Sequence, residues 1–143
     1  MTKKQKTYDV HPIGVIRKQA GKAEIEILEK YKDALMGLDD FSHIIVCYWL
    51  HKNDTAEERN ILRVHPKRHK ENPLTGVFAT CSSVRPNLLA ISMCRILSID
   101  GTVIQINDID AFDQTPVIDI KPYIPRSHSI TKDVKTPQWI KPK

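Results

Sequence analysis

The sequence is short of the features that mark several common protein classes. Its 143 residues hold three cysteines, Cys47, Cys81 and Cys94, widely spaced and with no Cys-x-x-Cys pair. A disulfide scaffold or a zinc ribbon needs more cysteine than this, so reduced thiols in a cytoplasmic protein are expected. No apolar run approaches the ~20 residues that cross a bilayer, and no membrane association is expected. The longest such run, residues 44–50, has the length of a buried strand. The N-terminus is basic, but no hydrophobic stretch follows it, so no secretory signal is expected. Internal repeats and low-complexity tracts are absent. No metal site is expected either. His65 and His69 have the spacing of a helical ligand pair, but Pro66 interrupts it and no third ligand is near.

Hydrophobic residues make up 41% of the chain, too many for disorder, and the length suits one domain with one core. Lys and Arg number 22 against 17 Asp and Glu, a net charge of +5. The excess gathers at Lys3, Lys4 and Lys6, across residues 63–70, and beyond Pro125 at Arg126, Lys132, Lys135, Lys141 and Lys143. Solvated loops and a polyanionic partner are equally compatible with that distribution.

Periodicity gives short strands and little helix. Residues 13–17 form one strand-like run. In residues 22–28, Ala23, Ile25 and Ile27 alternate with Glu24 and Glu26, the period of a half-buried strand. Tyr31, Ala34, Leu35 and Leu38 recur at helical spacing and predict a short helix that Gly37 ends or distorts. Residues 42–51 read as a central strand. Asp54 and Glu57 have capping-box spacing with no apolar face after them, which limits any helix there to one or two turns. Two strand-like runs flank Asp100-Gly101, the mark of a hairpin with a type I′ turn. Many short strands and nine prolines predict a mainly β fold, a small closed antiparallel β-barrel with one or two short helices.

Three stretches carry a family resemblance. They are Pro-Ile-Gly-Val-Ile-Arg at 12–17, the run from Gly37 through Phe41-Ser42-His43 to His51, and the run from Gly-Val-Phe-Ala-Thr at 76–80 through Arg85-Pro86-Asn87 to residues 115–125. In this order and spacing the chain resembles the TsaA-like family. The resemblance covers residues 12–125 and implies a β-barrel domain there, between a basic tail at 1–11 and a polar tail at 126–143. It implies a short, divergent member without the C-terminal domain of larger bacterial members. It also implies S-adenosyl-L-methionine as cofactor, a homodimer, and methyl transfer to N6 of threonylcarbamoyladenosine at position 37 of tRNA. A non-catalytic module that binds the cofactor or a nucleotide is the alternative.

By the same resemblance the cofactor site is expected at His51, Lys52, Ile91, Asn107, Asp108, Ile109 and Asp110. Arg85 and Asn87 are expected to orient substrate, and Lys67 and Arg68 to meet tRNA phosphates. Asp119 is a weak candidate for the catalytic base. His43, in an apolar strand, is expected to be structural, Trp49 a core residue, and Trp139 a tail residue that docks on a partner subunit. Three departures stand out. Cys81 and Leu88-Leu89-Ala90 occupy positions where relatives have arginine and Pro-Ile-Gly, and a cofactor-contacting segment between the first two strands is missing.

Overall fold

The computed structural model describes residues 3–130 and 132–140, apart from the His128 side chain; Lys141 and Lys143 of the basic tail lie outside the described residues. Eight strands form: β1 (Gly14–Gln19), β2 (Lys22–Ile27), β3 (His43–Trp49), β4 (Arg63–Val64), β5 (Thr75–Gly76), β6 (Leu89–Asp100), β7 (Val103–Ile106) and β8 (Pro116–Pro122). Six of them close an antiparallel barrel in the order β1-β2-β7-β6-β3-β8, with β8 returning to β1. Strands β4 and β5 pair separately, in the long excursion between β3 and β6. Among the described residues, two one-turn α-helices, α1 (Ala56–Arg59) and α2 (Pro125–His128), and several short 3-10 helices complete the fold.

The barrel is filled rather than hollow. Ile16 of β1, Ala23, Ile25 and Ile27 of β2, Ile44, Val46 and Tyr48 of β3, and Ile104 and Ile106 of β7 all point inward and are buried. Alternation carries this pattern along β1, β2 and β3 without interruption, as a two-residue side-chain period requires. Two bulges break it elsewhere. On β6, the register slips between Ile96 and Ser98, so Cys94 and Ile96 face in, Leu97 is left in solvent, and Ile99 resumes the inner row. On β8, a slip opposite Cys47 and Tyr48 leaves Ile118 as the extra residue and moves the inner row from Ile120 to Val117. Each bulge inserts one residue into one strand and bends it, which helps so small a barrel close.

The turns explain where sequence and structure differ. Gln19 pairs with Lys22, and both intervening residues, Ala20 and Gly21, have positive φ (49° and 76°). That is the type I′ hairpin geometry, and it lets β1 run into β2 with no inserted segment. At the predicted second hairpin, Asp100 pairs with Val103, so the loop is Gly101-Thr102, one residue later than expected. Of these two, only Gly101 has positive φ (62°), the pattern of a type II′ turn rather than I′. The predicted helix around residue 31 is a 3-10 helix at Glu29–Leu35, ended at Met36. Gly37, at φ 88°, then leads into a second short 3-10 turn. Tyr31, Leu35 and Leu38 nevertheless pack against the core, so the spacing marked the right face. The predicted cap at α1 moves one place: Thr55 Oγ1 accepts from the Glu58 amide at 3.1 Å, and Thr55 donates to the Glu58 carboxylate at 3.2 Å.

Burial pushes the Cys94 thiol up to about 11, with a smaller contribution from the negative charge of Asp108. The folded protein therefore keeps this proton where the unfolded chain, with an ordinary thiol, has lost it. Stability from Cys94 is fully present below about pH 9 and is lost as pH rises toward 11. Burial raises Cys47 and Tyr48 as well, in the same direction. Thermal melts are expected to show the midpoint falling across this window and falling less steeply in Cys94→Ala. An equal slope in the variant would contradict the assignment.

Candidate functional site

Strand β3 leaves the barrel at Trp49 and runs into a 3-10 turn, His51–Asn53, at one end of the barrel. A cavity of about 1210 Å³ opens there. Its walls come mainly from the end of β3 with residues 50–53, the excursion at residues 64–68 and 78–84, and residues 110–115 ahead of β8, with Lys18, Glu58, Ala90, Trp139 and Ile140 completing them. This is larger than the roughly 300–1,000 Å³ of most single-ligand pockets. A second cavity, about 430 Å³, lies between the 3-10 segments and the barrel and is lined mainly by apolar side chains such as Ile13, Tyr31 and Leu35.

One hydroxyl ties the core to the large cavity. Tyr48, the last inward residue of β3, donates to the Asp110 carbonyl at 2.7 Å, and its oxygen also meets Ser92 Oγ at 2.9 Å. Lys18 Nζ donates to the neighbouring Ile109 carbonyl at 2.8 Å. Residues 109–111 are thereby held on the barrel end while the Asp110 side chain stays exposed in the cavity. Its carboxylate makes no hydrogen bond or ion pair among the described residues. The other carboxylate of the lining, Glu58, accepts from Asn53 Nδ2 and Thr55 Oγ1, both at 3.2 Å.

His51 lies half-buried in the wall, its Nδ1 3.4 Å from the hydroxyl of buried Thr115. Beside it, the Lys52 ammonium sits over the Phe112 ring at 4.0 Å, an arrangement in which the ring face attracts the cation. Trp49 Nε1 and Arg59 Nε both donate to Asp54, at 3.1 and 3.0 Å, and hold its carboxyl below the usual range. Arg59 also reaches the Pro86 carbonyl at 3.3 Å, linking α1 to the segment ahead of β6. Lys67 and Arg68 both adopt positive φ, 57° and 58°, in the loop that forms the far wall. With Lys18 and Lys52 they set four cations against two carboxylates around the cavity. That balance suits an anionic ligand.

Of the residues expected to bind cofactor, the structure brings His51, Lys52 and Asp110 together. Ile109 is buried behind them in the core. Asn107 and Asp108 lie outside the cavity: Asn107 Oδ1 accepts from the Arg95 amide at 2.8 Å, and Asp108 faces Lys18 at 3.7 Å. Ile91 is on the outer face of β6, 72% exposed, and does not line the cavity. Of the substrate residues, Lys67 and Arg68 line it, whereas Arg85 and Asn87 do not. One guanidinium nitrogen of Arg85 is spent on the carbonyls of Val77, Thr80 and Ser82 at 2.9–3.3 Å, shaping the loop that carries Cys81. Asp119 lines the smaller cavity on another part of the barrel and faces Lys121 at 3.8 Å. His43 likewise lies elsewhere, its ring edge-on to Tyr123. Trp49 is in the cavity wall rather than the core, and Trp139 lines the cavity of its own chain.

Comparison with known proteins follows the same lines. Residues 3–129 match the tRNA-methyltransferase O N-terminal domain, TrmO_N. The chain belongs to this family. It is 43% identical over 114 residues to a protein of Methanocaldococcus jannaschii described as a probable S-adenosyl-L-methionine-binding protein, covering 80% of this chain and 90% of that one. To the tRNA (adenine(37)-N6)-methyltransferase of Mus musculus it is 36% identical over 98 residues, 68% of this chain but 22% of that one. The crystal structure of TrmO from P. aeruginosa superposes with a TM-score of 0.71 at 26% identity, across 95% of this chain. The chain spans 63% of that TrmO chain. The TrmO_N match therefore also reaches longer proteins, of which this chain covers only part.

Tyr48 is the joint between this barrel and its cavity. In Tyr48→Phe, unfolding free energy is expected to fall by about 1–3 kcal/mol, because the Asp110 carbonyl loses its donor. Hydrogen exchange at residues 110–112 is expected to rise more than in β1 and β2. Uniform change across the barrel would contradict a role in fixing the loop.

Proposed function

We propose that the chain is a cytoplasmic S-adenosyl-L-methionine-dependent tRNA methyltransferase that acts on N6 of threonylcarbamoyladenosine at position 37. The observation that carries this reading is the cavity at the end of β3, which gathers His51, Lys52, an unengaged Asp110 carboxylate and the Lys67-Arg68 loop in one space. It is large enough for a donor and an acceptor together, and methyl transfer requires both within one cavity.

The residues present fit the cofactor. The Asp110 carboxylate is placed to accept from ribose hydroxyls, as acidic residues do in other nucleotide sites. His51 and Lys52 offer polar and charged contacts beside it, and Lys52 with Lys67 and Arg68 provides the positive charge that Cys81 does not. When bound, S-adenosyl-L-methionine supplies an electrophilic methyl group, so the protein need only align the acceptor nitrogen and take up one proton. Asp110 and His51 hold that proton in this reading; Glu58 and His65 also line the cavity, but Glu58 already accepts from Asn53 and Thr55 and His65 Nδ1 is engaged with the Asn72 carbonyl. Asp119 lines the smaller cavity instead, and in this reading it is not the base. Lys67 and Arg68 meet tRNA phosphates, which position the acceptor without reading its sequence.

Residues 12–125 make up the barrel domain, flanked by tails. The protein is a homodimer in this reading, joined through the apolar row Leu89, Ile91 and Met93 on the outer face of β6. Ile91 then belongs to the subunit interface rather than to the adenine pocket.

Labelled methyl from S-adenosyl-L-methionine is expected on N6 of the modified adenosine when the protein is incubated with tRNA carrying threonylcarbamoyladenosine, and not with tRNA lacking it. His51→Ala is expected to weaken cofactor binding by about 1–3 kcal/mol, the cost of one lost buried hydrogen bond. Cofactor binding without transfer to any tRNA would favour the non-catalytic binding module. Unchanged affinity in the variant would remove His51 from the site.

A further inference from the structure

The polar tail after β8 contains few apolar side chains, and the structure treats them unequally. Ile130 and Val134 are left in solvent, 79% and 64% exposed. Trp139 is half-buried, and with Ile140 it forms part of the wall of the large cavity. The Ile140 amide donates to the Pro137 carbonyl at 3.1 Å, closing a tight turn with Trp139 in the middle. A chain segment with no apolar periodicity thus delivers its one large aromatic ring to the site.

Two other rings of the cavity are engaged by charged groups, whereas Phe78, also in its lining, is 83% exposed. One face of Phe112 is taken by the Lys52 ammonium. Trp49 is held at its ring nitrogen by Asp54 and covered by the Arg59 guanidinium at 5.4 Å. Trp139 has no such charged partner among the described residues, and an indole is a strong stacking surface for a purine.

We propose that Trp139 is a stacking platform for an adenine ring in this cavity, so that the C-terminal segment is part of the binding site rather than a trailing tail. This rests on the reading of the cavity as the cofactor and acceptor site. Both ligands carry an adenine, and the experiment separates them. S-adenosylhomocysteine and tRNA carrying threonylcarbamoyladenosine are each titrated by calorimetry into the wild type, Trp139→Ala and Trp139→Phe. Thermal melts of all three proteins serve as the folding control.

Trp139→Ala is expected to weaken one of the two ligands about tenfold, and Trp139→Phe to recover most of the loss. Loss confined to S-adenosylhomocysteine assigns the platform to the cofactor's adenine, and loss confined to tRNA assigns it to the acceptor base. Both ligands binding Trp139→Ala within about twofold of wild type would overturn the inference and leave the cavity reading intact. A Trp139→Phe variant as weak as Trp139→Ala would also overturn it, since any flat ring should stack. Neither ligand binding the wild type would overturn the cavity reading and this inference with it.

Discussion

Strand β3 is the element on which the rest of the structure depends. It pairs along its length with β6 on one side and β8 on the other, so the barrel cannot close without it. Its inner face puts Ile44, Val46 and Tyr48 into the core, and its far end becomes the cavity wall at Trp49, His51 and Lys52. The Tyr48 hydroxyl is where these two roles meet. Buried among aliphatic side chains, it satisfies its hydrogen bonding at Asp110 and Ser92, and a buried hydroxyl left without partners would cost free energy. The loop that presents Asp110 is therefore fixed by the same packing that fixes the barrel. A site built on a rigid strand end keeps its geometry better than one built on loops alone.

The charge pattern follows from this placement. The excess of Lys and Arg is modest over the whole chain, but the fold brings Lys18 from β1, Lys52 from the end of β3 and Lys67 with Arg68 from the excursion to one opening. Positive φ at two consecutive non-glycine residues, Lys67 and Arg68, is an uncommon backbone state, and such states cluster at functional sites. In the proposed reaction these cations draw a polyanionic substrate toward the cavity.

Much of the barrel was legible in the sequence, because β1, β2 and β3 bury alternate residues and alternation survives in the primary structure. It was less legible where bulges intervene. Leu97 and Ile118 each shift the inner row by one position, and no local signal in the sequence marks either slip. The second hairpin was read correctly, but its turn is type II′ rather than I′ and lies one residue later, at Gly101-Thr102, because a glycine in first position serves either type. Of the residues grouped by family motif, His51, Lys52 and Asp110 do meet in one cavity at the barrel end. Positions 107–109 were grouped with Asp110 by sequence proximity, yet the strand end turns Asn107 and Asp108 away and buries Ile109. Arg85 could not be separated from substrate-binding arginines by sequence, because its carbonyl partners are defined only once residues 77–82 fold around it. Phe78, Phe112, Tyr48 and Trp139 were not anticipated in the cavity lining for the same reason: each reaches it through tertiary structure.

The central claim is that the cavity at the end of β3 holds the cofactor despite cysteine at position 81. Calorimetric titration of the purified protein with S-adenosylhomocysteine tests it most directly. One-site binding in the micromolar range, abolished by Asp110→Lys with the fold retained, is the predicted result. An absence of heat at millimolar ligand, or affinity unchanged in Asp110→Lys, would contradict it and place the ligand of this barrel elsewhere.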